Sequence, residues 1–141
     1  MSVKSLVPNL MVEDVRRSAE FWCGKLGFEA RFSVDAQRGF HDGLPEEGEI
    51  VYAQFVSGGV EVMAQRRDSI SEELPGFAQR PTGGGFTLYV QVDDLDALFE
   101  RLGDSVPTVK ELHTTFYGMR EWYVSDPDGV VVCLAQQAGG S

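Results

Sequence analysis

Few residues in this chain combine the types and spacing that chemistry needs. Cys23 and Cys133 are too few for a disulfide scaffold and lack the CxxC spacing of a zinc site. A reduced compartment is the simpler reading. Cys23, set between apolar helical turns, reads as a buried small apolar residue. His41 and His113 fall in stretches that read as loops, and so as exposed residues rather than ligands. No Ser-His-Asp or Cys-His pairing is legible. The Gly83-Gly84-Gly85 run is not followed by the Lys-Ser/Thr of a phosphate-binding loop, so it reads as a flexible joint. Glu61 is the carboxylate that stands out. On an inward strand face it could partner a cationic ligand, or act as a base with a raised pKa if buried. As a hydrogen-bonded, half-exposed sheet carboxylate it would do neither.

The elements that must position these residues form an internal repeat. Val3 to Val12 reads as a strand, and Asp14 then caps a helix with Val15, Ala19, Trp22 and Leu26 on one face. Gly27 stops that helix. Phe86 to Val92 reads as a second such strand. Asp93 or Asp94 caps a helix carrying Leu95, Leu98, Phe99 and Leu102, and Gly103 ends it. The corners Val12-Glu13-Asp14-Val15 and Val92-Asp93-Asp94-Leu95 stand 80 residues apart.

Three strand candidates follow each helix: Phe28–Val34, Ile50–Val56 and Val60–Ala64, then Val106–Val109, Arg120–Ser125 and Val130–Ala135. Ser57-Gly58-Gly59 and Asp126-Pro127-Asp128-Gly129 supply turn chemistry. The pattern is an α+β fold of tandem βαβββ modules. It forms a single domain whose modules span about 1–64 and 86–136, joined by a linker at 65–85. Each sheet puts one face on its helix and leaves the other free to line a cavity. The long connections Asp35–Glu49 and Gln65–Gly85 read as functional lids, interface arms or disordered segments, and the tail Ala138–Ser141 is expected to fray.

The 141 residues carry 12 Lys+Arg against 22 Asp+Glu, a formal net charge of −10. That weighs against nucleic acid and anionic membranes, which need clustered basic surface. It is compatible with a cationic ligand. No apolar run approaches a membrane span, and the N-terminus lacks an apolar signal core, so the expected location is cytoplasmic.

Val7-Pro8-Asn9-Leu10, the run Glu13-Asp14-Val15-Arg16-Arg17-Ser18-Ala19-Glu20-Phe21-Trp22 and Leu26-Gly27-Phe28 resemble the opening of bleomycin resistance proteins. Gly118-Met119-Arg120-Glu121, followed by Ser125-Asp126-Pro127-Asp128-Gly129, resembles their closing signature. The resemblance implies the vicinal oxygen chelate fold, with mixed sheets curling around a cleft, shared with glyoxalase I and the extradiol dioxygenases. Metal-dependent members of that superfamily use four sheet positions, which fall here at Val7, Glu61, Thr87 and Cys133. Only Glu61 is a usual ligand, so no metal and no other cofactor is expected. Glyoxalase-type isomerisation and dioxygen activation then lose their Lewis acid.

Strand alternation nominates what lines the cavity instead. Asn9 shares a face with Val7, Glu61 with Met63, and Thr87 with Tyr89. If Ser125 pairs with Val130, Trp122 lies opposite Cys133 on the cavity face. Tyr52 or Phe55 faces inward, and Phe116 and Tyr117 sit at the rim. Such an aromatic cleft suits a flat, partly apolar or cationic compound. The resemblance implies a homodimeric binding protein that sequesters its ligand, a cationic aromatic antibiotic being one candidate, in a cleft at the subunit interface. The alternatives are a metal-dependent lyase, isomerase or dioxygenase with the ligand register misplaced, a metal-free enzyme with Glu61 as base, and an interaction module without a small ligand.

Overall fold

The computed structural model describes residues 1–139, so Gly140 and Ser141 of the expected fraying tail lie outside the described residues. The fold is α+β, with one mixed sheet of five strands and one of four. The chain divides into two compact units, Met1–Thr82 and a second beginning at Gly83. No helix among the described residues is long and apolar enough to cross a membrane.

In the first unit β1 (Asn9–Val12) is followed by α1 (Val15–Ala19), β2 (Glu29–Asp35), β3 (Phe40–Asp42), β4 (Ile50–Ser57), β5 (Val60–Arg66) and α2 (Arg67–Glu73). The strand order is β1-β5-β4-β2-β3, with β1 parallel to β5 and the remaining pairs antiparallel. The first strand is shorter than its sequence suggests. Pro8 has no N–H to donate, and Val3 and Leu6 ahead of it are exposed. The two long connections are not bare loops: β3 forms within the first and α2 within the second.

Asp14 caps α1 through its carboxylate, which accepts from the backbone N–H groups of Arg16 at 2.9 Å and Arg17 at 3.3 Å. The helix then widens into a π-turn at Glu20–Lys25. That extra residue rotates the end of the helix. Phe21 and Trp22 are buried, while Leu26, expected on the buried face, is half-exposed and Phe28 fills the core in its place. Trp22 meets Phe21 and Phe28 edge-on, with ring centroids 5.2 and 5.4 Å apart. Gly27, at φ +80°, closes the helix in the left-handed region that a side chain would strain.

The second unit runs β6 (Thr87–Gln91), α3 (Leu95–Leu102), β7 (Thr108–Thr114), β8 (Met119–Ser125) and β9 (Val131–Gln137), in the order β6-β9-β8-β7. Asp94 caps α3, accepting from Ala97 N at 3.1 Å. Leu88, Val90, Val132, Leu134, Trp122 and Val124 pair across the strands on the helix-facing side. Gly83 belongs to this packing rather than to a loose joint. A Cβ there would come within 2.6 Å of the Gly129 carbonyl, so only glycine fits.

The β8–β9 turn corrects the expected register. Asp126 pairs with Val130: its N–H donates to the Val130 carbonyl at 3.0 Å. The Asp126 carboxylate accepts from the N–H groups of Asp128 at 2.8 Å and Val130 at 2.9 Å. The loop is therefore one residue shorter than a four-residue Asp-Pro-Asp-Gly turn, and Ser125 pairs with Val131 rather than Val130. A slip of one residue moves every side chain to the other face.

Candidate functional site

That register places Glu121, not Trp122, on the face of the second sheet that turns away from α3. Trp122 stands opposite Leu134, fully buried. Its Nε1 donates to Thr108 Oγ1 at 3.0 Å and its ring meets Phe99 edge-on at 4.7 Å. It is a core residue between sheet and helix. Cys133, expected opposite Trp122, has Tyr123 on one side and Tyr89 on the other. Glu121 stands opposite Ala135 and His113.

The resulting group is Glu121 ringed by Tyr89, Tyr117, Tyr123, His113 and Cys133. The Glu121 side chain is only 2% exposed. Its Oε2 accepts from the Tyr89 hydroxyl at 2.8 Å and the Tyr117 hydroxyl at 2.6 Å. Its Oε1 faces His113 Nε2 at 3.7 Å, an ion-pair separation rather than a hydrogen bond. His113 Nδ1 lies 2.7 Å from the Glu111 carbonyl, which can only accept, so that nitrogen carries a proton. Both histidines fall in strands rather than loops. His41 lies in β3, with its Nε2 at 2.7 Å from Asp35 Oδ2.

Burial by itself would raise the Glu121 pKa. Hydrogen bonds from Tyr117 and Tyr89, with the charges of His113 and Lys110, outweigh it and hold the carboxyl below its ordinary range. The partners shift the other way. Burial and the bond to Glu121 raise Tyr89. The bond to Glu121, then burial, raises Tyr117. The Cys133 thiol at its hydroxyl, with burial, pushes Tyr123 up to about 12. Burial pushes Cys133 up to about 11. The site is a shielded carboxylate anion among neutral phenols and a neutral thiol. Tyr89 and Tyr117 remain 49% and 56% exposed, so the phenol rings are open to an approaching ligand. Phe116, fully exposed at the β7–β8 hairpin tip, meets Tyr117 edge-on at 5.1 Å. Thr87 lies on the same face as Tyr89, two residues along the edge strand β6.

The first sheet resolves the choice between Tyr52 and Phe55. Phe55 pairs with Val62 and is fully buried with Ala53 and Ala64. Tyr52 takes the opposite face, with Gln54, Glu61, Met63 and Gln65. Asn9 joins them: its Nδ2 donates to Gln65 Oε1 at 2.9 Å, and Gln65 donates on to Ser69 Oγ at 3.0 Å. Glu61 is ion-paired with Arg31 at 3.2 Å and 30% exposed.

The four metal positions implied by resemblance do not fit a divalent ion. Val7 offers only hydrocarbon, Thr87 a weak donor, Cys133 a lone, fully buried thiol, and Glu61 a carboxylate already paired. The ladders also give Glu61 and Cys133 non-equivalent register positions in the two modules. Asn9 pairs with Met63 and its repeat counterpart Tyr89 pairs with Cys133, so Met63, not Glu61, matches Cys133. Among the described residues no three His, Cys, Asp or Glu side chains come together as a metal cage.

Sequence reasoning missed Glu121 as the hub, and with it Tyr123 and His113. The signal was available in Asp126, whose side chain closes its turn on Val130.

The fold accords with the comparisons. The model of the Glyoxalase/Bleomycin resistance protein/Dioxygenase superfamily matches residues 4–134. No curated protein matched the chain. A protein of unknown function from Agrobacterium tumefaciens str. C58 is 21% identical, covering 96% of this chain and 94% of its own, with a TM-score of 0.72. A superfamily member from Sphaerobacter thermophilus is 21% identical over 96% of this chain and 98% of its own, at 0.69. The bleomycin-binding protein of Streptomyces verticillus, solved with copper(II)-bleomycin, is 24% identical over 99% and 98%, at 0.57. The chain belongs to the glyoxalase/bleomycin resistance protein/dioxygenase superfamily.

Proposed function

We propose that this protein is a metal-independent small-molecule binding protein that sequesters an aromatic compound carrying a positive charge, with Glu121 as its anchor. The observation that supports this is the buried Glu121 carboxylate, held ionised beneath open tyrosine rings. A shielded anion attracts a cation more strongly than a solvated one, and the phenol faces add cation–π and stacking contacts. The similar Streptomyces verticillus protein was solved with copper(II)-bleomycin, which makes bleomycin the first compound to try. The resemblance further implies a homodimer with the ligand at the subunit interface, which sedimentation velocity with and without ligand would test.

The deciding experiment is calorimetric titration of EDTA-dialysed protein with metal-free bleomycin and with a planar acridinium dye. Binding without added metal is expected, weakened about tenfold or more in Glu121→Gln, a change of about 1.4 kcal/mol. Equal binding by Glu121→Gln, or binding that returns only with a divalent metal, would overturn the reading. Glu61 as a catalytic base draws no support from its position, because Arg31 already occupies its carboxylate.

A further inference from the structure

His113 and Glu121 stand directly opposite each other on β7 and β8, so their side chains share one face of the second sheet. Each has one end already committed. Glu121 Oε2 accepts from the hydroxyls of Tyr89 and Tyr117. His113 Nδ1 donates to the Glu111 carbonyl. In a neutral imidazole the other nitrogen is then an acceptor. Glu121 Oε1 and His113 Nε2 are therefore two acceptors 3.7 Å apart, and no side chain among the described residues places a donor between them. Oε1 is not sealed from solvent, so an incoming donor replaces water there. The His113 ring lies flat against Tyr123, with centroids 6.3 Å apart and 7° between the planes, and its side chain is 26% exposed.

From this we infer that Glu121 Oε1 and His113 Nε2 form a two-acceptor fork that selects an aromatic ligand whose positive centre carries at least two N–H donors, a primary ammonium or an amidinium. The inference rests on Glu121 as the anchor and adds His113 as the residue that decides which cations the anchor takes. A primary ammonium carries three donors. Its single nitrogen reaches both acceptors at about 2.9 Å each, because they stand only 3.7 Å apart. An amidinium gives one N–H to each. The aromatic body then lies against Tyr89 and Tyr117, whose rings are open to solvent. Rejection follows from the same geometry. A quaternary nitrogen keeps the charge but offers neither acceptor a hydrogen, and its methyl groups displace the water that reached Oε1. A site built to receive N–H groups discriminates strongly against a ligand that lacks them.

The test is calorimetric titration of the full chain with 2-naphthylmethylammonium and with its N,N,N-trimethyl analogue. It is run at pH 8, above the range in which histidine ordinarily titrates. Wild type is expected to bind the primary ammonium at least tenfold more tightly. His113→Phe keeps a flat ring against Tyr123 and removes the acceptor, so it should take the two compounds alike. In nitrogen-15-labelled wild type the His113 Nε2 resonance should move as the primary ammonium saturates the site, a readout that does not depend on the variant folding. Equal binding of the two compounds by wild type overturns the fork. So do no binding of either, a preference that survives in folded His113→Phe, and an Nε2 resonance that stays fixed at saturation. Glu121→Gln separates the two readings. If wild type binds both compounds equally and Glu121→Gln weakens both, the anchor stands and the fork falls. If Glu121→Gln weakens neither, both fall.

Discussion

The Tyr89 hydroxyl donates to Glu121 Oε2 at 2.8 Å across the whole width of β9. Tyr89 sits on the edge strand β6 and Glu121 on β8, with Cys133 and Ala135 of β9 between them. Ala135, directly opposite Glu121 on β9, is a small and fully buried residue. The bond ties an exposed ring to a buried charge, so Tyr89 is both a wall of the site and a brace for its carboxylate. Tyr89→Phe is expected to lower stability by about 1.5 kcal/mol, the usual cost of a hydrogen bond to a charged group. Urea denaturation measures this directly.

Acid should weaken the fold through Glu121. Its folded pKa lies below the ordinary 4.5, so the unfolded chain takes up the proton first as pH falls. The stabilisation is full above about pH 4.5 and is lost as pH drops through the folded value. Urea midpoints of wild type and Glu121→Gln, measured from pH 7 to pH 3, should therefore differ in slope, with the variant losing less on acidification.

Alkali should act through the same face with the opposite sign. Cys133 is raised from 9.0 to about 11 and Tyr123 from 10.0 to about 12. Both keep their protons in the folded state after the unfolded chain has lost them, so their contribution is full below pH 9 and declines as pH rises towards 12. Thermal unfolding across that range should show a falling midpoint. Phenolate absorbance should show late-titrating tyrosine until the protein unfolds. At pH 8 Cys133, fully buried and neutral, should resist alkylation in the native state while Cys23, which is partly exposed, reacts faster.

Trp122 should behave as a core residue. Trp122→Ala removes its packing on Phe99 and its bond to Thr108. A loss of about 3–5 kcal/mol is expected. Trp122→Phe should keep most of the stability and leave acridinium binding unchanged, as read by calorimetry. A binding defect in a folded Trp122→Phe protein would contradict the register drawn above.

Asp126→Ala tests the turn that sets that register. The side chain accepts two buried backbone N–H groups, and leaving them unpaired costs about 1–3 kcal/mol. The variant should unfold earlier, and amide exchange should quicken first at Asp128 and Val130.

Much of the architecture was legible in the chain. Asp14 and Asp94 begin helices because their short carboxylates reach free N–H groups, and the duplicated corners at Val12 and Val92 announce two similar modules. The alternation of Val62 and Ala64 with Glu61 and Met63 shows a strand with one covered face. These are local signals, set by reach, period and side-chain size. The site was less legible because it depends on pairing. Nothing local tells whether Ser125 meets Val130 or Val131, and that choice exchanges Trp122 for Glu121 on the open face. Nor could the sequence bring Tyr89, Tyr117 and His113 to one carboxylate from three segments, or link Asn9 to Gln65 and Ser69. The sequence by itself determined the elements, because each is decided within a few residues. Only the tertiary structure decided which charge is buried and which hydroxyls surround it, because those depend on what distant strands bring within bonding distance.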